Sequence, residues 1–259
     1  MAIISLCIGL FACKTHCDEP TNQEAGDYYE NRAKIAENLE FFDVPRCDRL
    51  TVYGISDAFL RAEEMDRFEV SPGRWERDGA TACYPDESES TVSREGILAA
   101  FHSMLTRHDD AGVSDLWRYA KEHGGDMGEG PFDLVNIWPA AYILRDAAKD
   151  DAAFRNVGGP LNGFRGYVLA LGIHASGRVH GSLNEAEYHA LKALVDDMPN
   201  NPVARALLAR YDDGDQSAAM EILDRDCPGG DCQGFELWHW PSVPNQVVYA
   251  WVVSIFEGR

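Results

Sequence analysis

Ser93-Arg94-Glu95-Gly96-Ile97-Leu98-Ala99-Ala100-Phe101-His102-Ser103-Met104-Leu105 is the stretch on which the fold turns. A serine hydroxyl can accept a hydrogen bond from the free N–H groups of a first helical turn, so Ser93 is a natural cap. Behind it, Ile97, Leu98, Phe101, Met104 and Leu105 recur at spacings of three and four. That spacing puts them on one face of a helix.

Working outward, the same grammar repeats. Ser114 opens a helix through Leu116, Trp117 and Ala120 that ends at Gly124-Gly125. Leu134, Ile137, Trp138, Ala141 and Leu144 continue the pattern, with Pro139 kinking that helix or restarting it. Phe164, Tyr167, Val168, Leu171, His174 and Ala175 form the next stripe, on which His174 reads as a core histidine more readily than a catalytic one. Ser182-Leu183-Asn184-Glu185 has the spacing of a capping box before Leu191, Leu194 and Val195. Asn201-Pro202 pairs an N-cap with proline at the first helical position and opens Val203 to Tyr211. Ser217 caps Ala218 to Asp224, and Val247, Val248, Trp251, Val252 and Ile255 mark a last apolar helix. Upstream, a helix around Tyr28 to Phe42 precedes an irregular stretch from Asp43 to Thr91. About nine helices with short connections, and few alternating runs, predict an all-α domain of antiparallel hairpins.

Composition narrows the function. The chain has 259 residues, 45% of them hydrophobic, enough for a sizeable core. Against 43 acidic residues stand 23 basic ones, a formal charge of -20, so nucleic acid and an anionic bilayer meet mostly repulsion. No apolar run reaches the roughly 18 to 20 residues of a membrane-spanning helix. Nucleophile-elbow, Walker, dinucleotide-binding and His-Glu-x-x-His motifs are all absent, and no cofactor or metal site is expected.

The N-terminus speaks to location. Ala2 to Ala12 is an apolar stretch of signal-peptide length followed at once by Cys13 and polar sequence. Leu10-Phe11-Ala12-Cys13 resembles the lipobox of bacterial lipoproteins, although no Lys or Arg precedes it. The resemblance implies a signal peptide over 1–12, lipidation of Cys13, a linker over 13–27 and one helical domain over 28–259. It places the protein in the bacterial envelope, held to the membrane by a lipid anchor alone. An ordinary N-terminal core helix is the competing reading. Five cysteines then remain: Cys17, Cys47, Cys83, Cys227 and Cys232. Cys227 and Cys232 flank a short turn-forming loop whose ends can meet, which favours a disulfide there.

Arg74-Trp75, Ser90-Thr91-Val92-Ser93-Arg94-Glu95, Asn201-Pro202, Cys227-Pro228 and Trp238-His239-Trp240, in that order, resemble a group of bacterial proteins of α/α-toroid type. The likeness runs from Arg74 to Phe256. Where that group has Asp after the Ser-Arg pair this chain has Glu95, and where it has an aromatic after Pro202 this chain has Val203. The resemblance implies a toroid of helical hairpins, an architecture shared with many glycoside hydrolases and polysaccharide lyases.

Two segments could carry such chemistry. Ser93-Arg94-Glu95 stands where a polar loop meets a helix N-terminus, a setting that favours anions. Its plain alternative is a cap, a dipole-complementing acid and a surface ion pair. Gly124-Gly125-Asp126-Met127-Gly128-Glu129-Gly130 sets two carboxylates on a flexible loop, though it also reads as a solvated acidic loop. Glycoside hydrolysis needs two carboxyl groups about 5 to 9.5 Å apart, and Glu95 with Asp126 or Glu129 would supply them. Arg74, Trp75, Ser93, Arg94, Trp238, His239 and Trp240 are the expected substrate contacts, flat rings beside polar donors suiting sugar faces. A non-enzymatic envelope lipoprotein that binds a glycan or protein partner is the other function class this sequence supports. Asp212-Asp213-Gly214-Asp215 lacks the ligand order of a calcium loop and reads as a capping turn.

Overall fold

The stripe from Ile97 to Leu105 forms the helix around which the rest of the core is arranged. The computed structural model describes residues 30–31, 48–60, 65–77, 91–128, 136–150, 161, 164–212, 215–226 and 245–258. Its helices are α1 (Arg49–Leu60), α2 (Arg94–Arg107), α3 (Asp110–Glu122), α4 (Ala141–Ala147), α5 (Gly166–His180), α6 (Glu185–Asp197), α7 (Pro202–Tyr211), α8 (Ser217–Asp226) and α9 (Asn245–Phe256). The only sheet among the described residues is a hairpin of β1 (Glu69–Ser71) and β2 (Arg74–Trp75). The chain is all-α, and among the described residues no helix is long and apolar enough to cross a membrane.

The closest helix pair is one that sequence periodicity does not show. α1 lies inside the stretch expected to be irregular, and it packs along α2 more extensively than any other two elements pack. The pairing runs in one direction: a Cβ on Gly54 would sit 2.7 Å from the backbone of Ala99, while Asp57 meets Ser103 and Arg107, and Thr106 donates to the Ala58 carbonyl at 3.0 Å. Two parallel helices need a long return path, which residues 61–93 provide. Glycine at 54 is what allows the two backbones to approach.

α5 also lies alongside α2 in the same sense. His102 on α2 hydrogen-bonds the Leu171 carbonyl at 2.9 Å, and one turn or two further along Arg178 reaches back to His102 and Thr106. Where α1, α2, α5 and α9 meet, Phe59, His102, His174 and Trp251 form a fully enclosed ring cluster. Phe59 stacks on Trp251 at 5.7 Å, and the Trp251 Nε1–H donates to His174 Nδ1 at 2.9 Å. His174 is therefore a hydrogen-bonded core residue, as its place on an apolar stripe indicates.

Several helix starts are as read, and others shift for identifiable reasons. Ser93 and Asn201 cap α2 and α7, accepting from Gly96 and Ala204 at 3.2 and 3.0 Å. Pro139 restarts the chain: a 3-10 turn over Trp138–Ala140 leads into α4. α3 begins at Asp110 instead of Ser114, because Asp109 caps it and Ser114 bonds back to the Asp110 carbonyl inside the helix. The capping box before α6 is Asn184 with Glu187, two residues beyond the expected Ser182 and Glu185. α8 starts on Ser217 itself, whose N–H donates to Asp215. The expected helix over 28–42 lies outside the described residues, apart from 30–31.

Candidate functional site

Glu95 and Tyr167 occupy the first turns of α2 and α5, and the parallel course of these helices brings them together. The Tyr167 hydroxyl hydrogen-bonds the Glu95 carboxylate. Burial first, and then the Glu95 charge, push the phenol well above its ordinary range, while Arg77 pulls the other way. The phenol thus keeps its proton at neutral pH, so its available chemistry is donation. Arg77 is fixed by its backbone N–H, which donates to the Thr91 carbonyl at 2.8 Å and ties the end of β2 to the start of α2. Arg94 lies 5.7 Å over the Phe164 ring. Asp48 also raises the phenol, so two carboxylates, one phenol and two guanidinium groups gather where α2 and α5 begin.

The other expected residues divide. Ser93 is buried and spends its hydroxyl on capping. Arg74 pairs with Glu76, two residues further along the chain. Trp75 is only 4% exposed, so its ring is covered by the core and offers no face to a sugar. Its indole N–H is buried without a hydrogen-bond partner among the described residues. Asp126 forms a bridge with Asn136, whose side-chain amide donates to it at 2.9 Å. Gly124 and Gly125 make that turn possible, with φ of 65° and 89°. No hydrogen bond among the described residues joins Glu95 to Asp126. Glu129, Trp238, His239, Trp240, Cys13, Cys227 and Cys232 lie outside the described residues.

A second polar chain escaped the sequence reading. Asp146 meets His180 Nε2 at 3.0 Å, His180 Nδ1 meets the Ser176 hydroxyl at 3.2 Å, and Ser176 donates to Glu187 at 2.6 Å, where Tyr142 also donates. Serine, histidine and acid in hydrogen-bond sequence suggest nucleophilic catalysis. Ser176 is nevertheless fully buried, and its proton is committed to Glu187. Glu187 is itself buried and also accepts from the Asn184 N–H, so the chain locks α6 to α4 and α5. Among the described residues no group of three or more His, Cys, Asp and Glu is placed to hold a metal ion.

At the opposite end of α2 and α5, a cavity of about 500 Å³ opens beside Arg178 and Arg210. Only the presence of basic residues in last helical turns hints at it in sequence, and that pattern ordinarily means complement to the helix dipole. Comparison of the chain with protein-family models, with curated proteins and with solved structures finds no match in any of the three.

Proposed function

We propose that the chain is an exported bacterial lipoprotein whose helical domain acts on a glycan at the end of the bundle where α2 and α5 begin. The observation that carries this reading is Glu95, held by the proton-keeping Tyr167 hydroxyl with Arg77 and Arg94 beside it. A carboxylate and a phenol in contact offer a proton acceptor and a proton donor, and guanidinium groups suit the carboxylates of acidic sugars. Asp126, on the loop after α3, is the residue we assign as the second carboxylate that hydrolysis requires.

The helix arrangement supports a toroid-like array. Helices α1, α2 and α5 run side by side in one direction, consecutive helices from α1 to α8 touch, and α9 packs back on α7 and α1. The apolar leader ending at Ala12-Cys13 supports export. A second reading, glycan or protein binding without turnover, is favoured by Asp126 being tied into a backbone bridge.

The test is Glu95→Gln in the full chain, assayed on peptidoglycan and on neutral and acidic polysaccharides. Turnover by the native protein that falls about a hundredfold or more in the variant, with substrate binding little changed, is the expected result. Turnover that survives the substitution refutes the site. Binding without turnover by either protein supports the second reading. Mass spectrometry of protein from its native host, seeking lipid on an N-terminal Cys13, tests export separately.

A further inference from the structure

The end of the bundle away from Glu95 carries a different chemistry. There the C-terminal ends of α2, α5, α7 and α9 converge on the cavity, represented by His108, Arg178, Arg210 and Gly258. In a chain with 20 more acidic than basic residues, two guanidinium groups line this space and no acidic side chain among the described residues does. Arg178 donates to His102 Nδ1 and to the His102 carbonyl, both at 3.1 Å, and to Thr106 Oγ1 at 2.9 Å. Arg210 donates to the carbonyls of Ile255 and Gly258 at 3.1 and 3.2 Å. Every one of these acceptors is neutral.

A guanidinium has five N–H donors. Three contacts on Arg178 and two on Arg210 leave each with donors unspent. Capping accounts for the bonds to the last carbonyls of α9, since cations favour helix C-termini. It does not account for the second cation, whose charge acts on the first: burial chiefly, with Arg210 adding to it, lowers the Arg178 pKa to about 10, still charged at neutral pH. Tyr211 packs beneath this wall: its hydroxyl lies against Gly177, where a Cβ would come within 2.0 Å of it, and Arg210 sits 5.6 Å over its ring. Like charges held together are costly unless something negative joins them.

We propose that this cavity is a binding site for a small organic anion carrying two negative charges, as carboxylates or phosphates, received by Arg178 and Arg210. Planar guanidinium groups bind either oxyanion with paired hydrogen bonds, and the volume lies in the range of small-molecule sites, larger than inorganic phosphate alone requires. The site is independent of Glu95: α2 spans 14 residues, about 20 Å, between the two ends.

Isothermal titration of the full chain at low salt with citrate, pyrophosphate and, as a monoanion control, acetate provides the test. We expect citrate or pyrophosphate to bind and acetate to bind far more weakly, and preference between the first two assigns carboxylate or phosphate. Arg210→Gln, on the exposed side of the cavity, should weaken binding about 10- to 100-fold. Arg205→Gln makes the same change in net charge outside the cavity and should leave affinity within about twofold. Arg178→Gln should act as Arg210→Gln does; circular dichroism checks its fold, and Arg210→Gln decides alone if it unfolds. No binding of either citrate or pyrophosphate up to about 10 mM overturns the proposal. So does binding that Arg210→Gln leaves intact, or that Arg205→Gln weakens equally.

Discussion

Acidification should destabilise this protein well above the pH at which carboxylates titrate, and His102 is the reason. Its ring is fully buried, with both nitrogens engaged: Nε2 donates to the Leu171 carbonyl at 2.9 Å, and Nδ1 accepts from Arg178 at 3.1 Å. A proton on Nδ1 would turn that acceptor into a donor facing a guanidinium. Burial, followed by the Arg178 charge, lowers the pKa from 6.5 to about 3. The folded protein therefore refuses a proton that the unfolded chain accepts below about pH 6.5, and stability falls with pH from there until about pH 3. The slope approaches about 1.4 kcal/mol per pH unit, and integration from pH 7 to pH 5 gives a loss of about 2 kcal/mol from this one residue. Urea denaturation at pH 7, 6 and 5 measures it. His102→Gln retains a donor for Leu171 and an acceptor for Arg178 but does not titrate. The variant should start less stable at pH 7, because contacts with Phe59 and His174 shrink, yet lose about 2 kcal/mol less than the native protein on going to pH 5. Parallel pH dependences for the two proteins would refute the reasoning, as would a neutral-to-charged imidazole transition of His102 near pH 6 observed by NMR.

Two further predictions concern the α1–α2 contact. Gly54→Ala adds a methyl 2.7 Å from the Ala99 backbone, which cannot swing aside as a flexible side chain would, and should cost about 2 to 3 kcal/mol by urea denaturation despite alanine's better helix propensity. An unchanged midpoint would mean that the helices lie further apart. Arg107→Ala removes the paired bonds, both 2.7 Å, from the buried Asp57; because Arg107 is about one-third exposed, the cost should be about 2 kcal/mol, below that of a fully buried pair. Adding Asp57→Asn should recover part of it, and a double variant no better than Arg107→Ala would show that charge burial is not the cause.

The same contact explains what the sequence concealed. α2 was legible because a cap and an apolar stripe coincide, and Asn201-Pro202 marked α7 in the same way. α1 is buried on nearly all sides, through Val52, Ile55, Ser56, Asp57, Ala58 and Phe59, so it has no polar face to generate a period. Gly54 and the β-branched Thr51, Val52 and Ile55 argue against helix locally, and packing on Ala99 overrides them. Distance in sequence hid the rest. Ser182 with Glu185 and Asn184 with Glu187 fit the capping spacing equally well, and the choice falls to Glu187 because Ser176 and Tyr142 also donate to it. The Ser93-Arg94-Glu95 stretch announced a polar helix start, but Tyr167, 72 positions further on, read only as one more residue of an apolar stripe. Arg178 and Arg210 gave still less warning, since a basic residue in a last turn is what any helix favours. What sets them apart is the convergence of four helix ends on one cavity that no acid among the described residues lines, a property of how the helices meet and of no segment read alone.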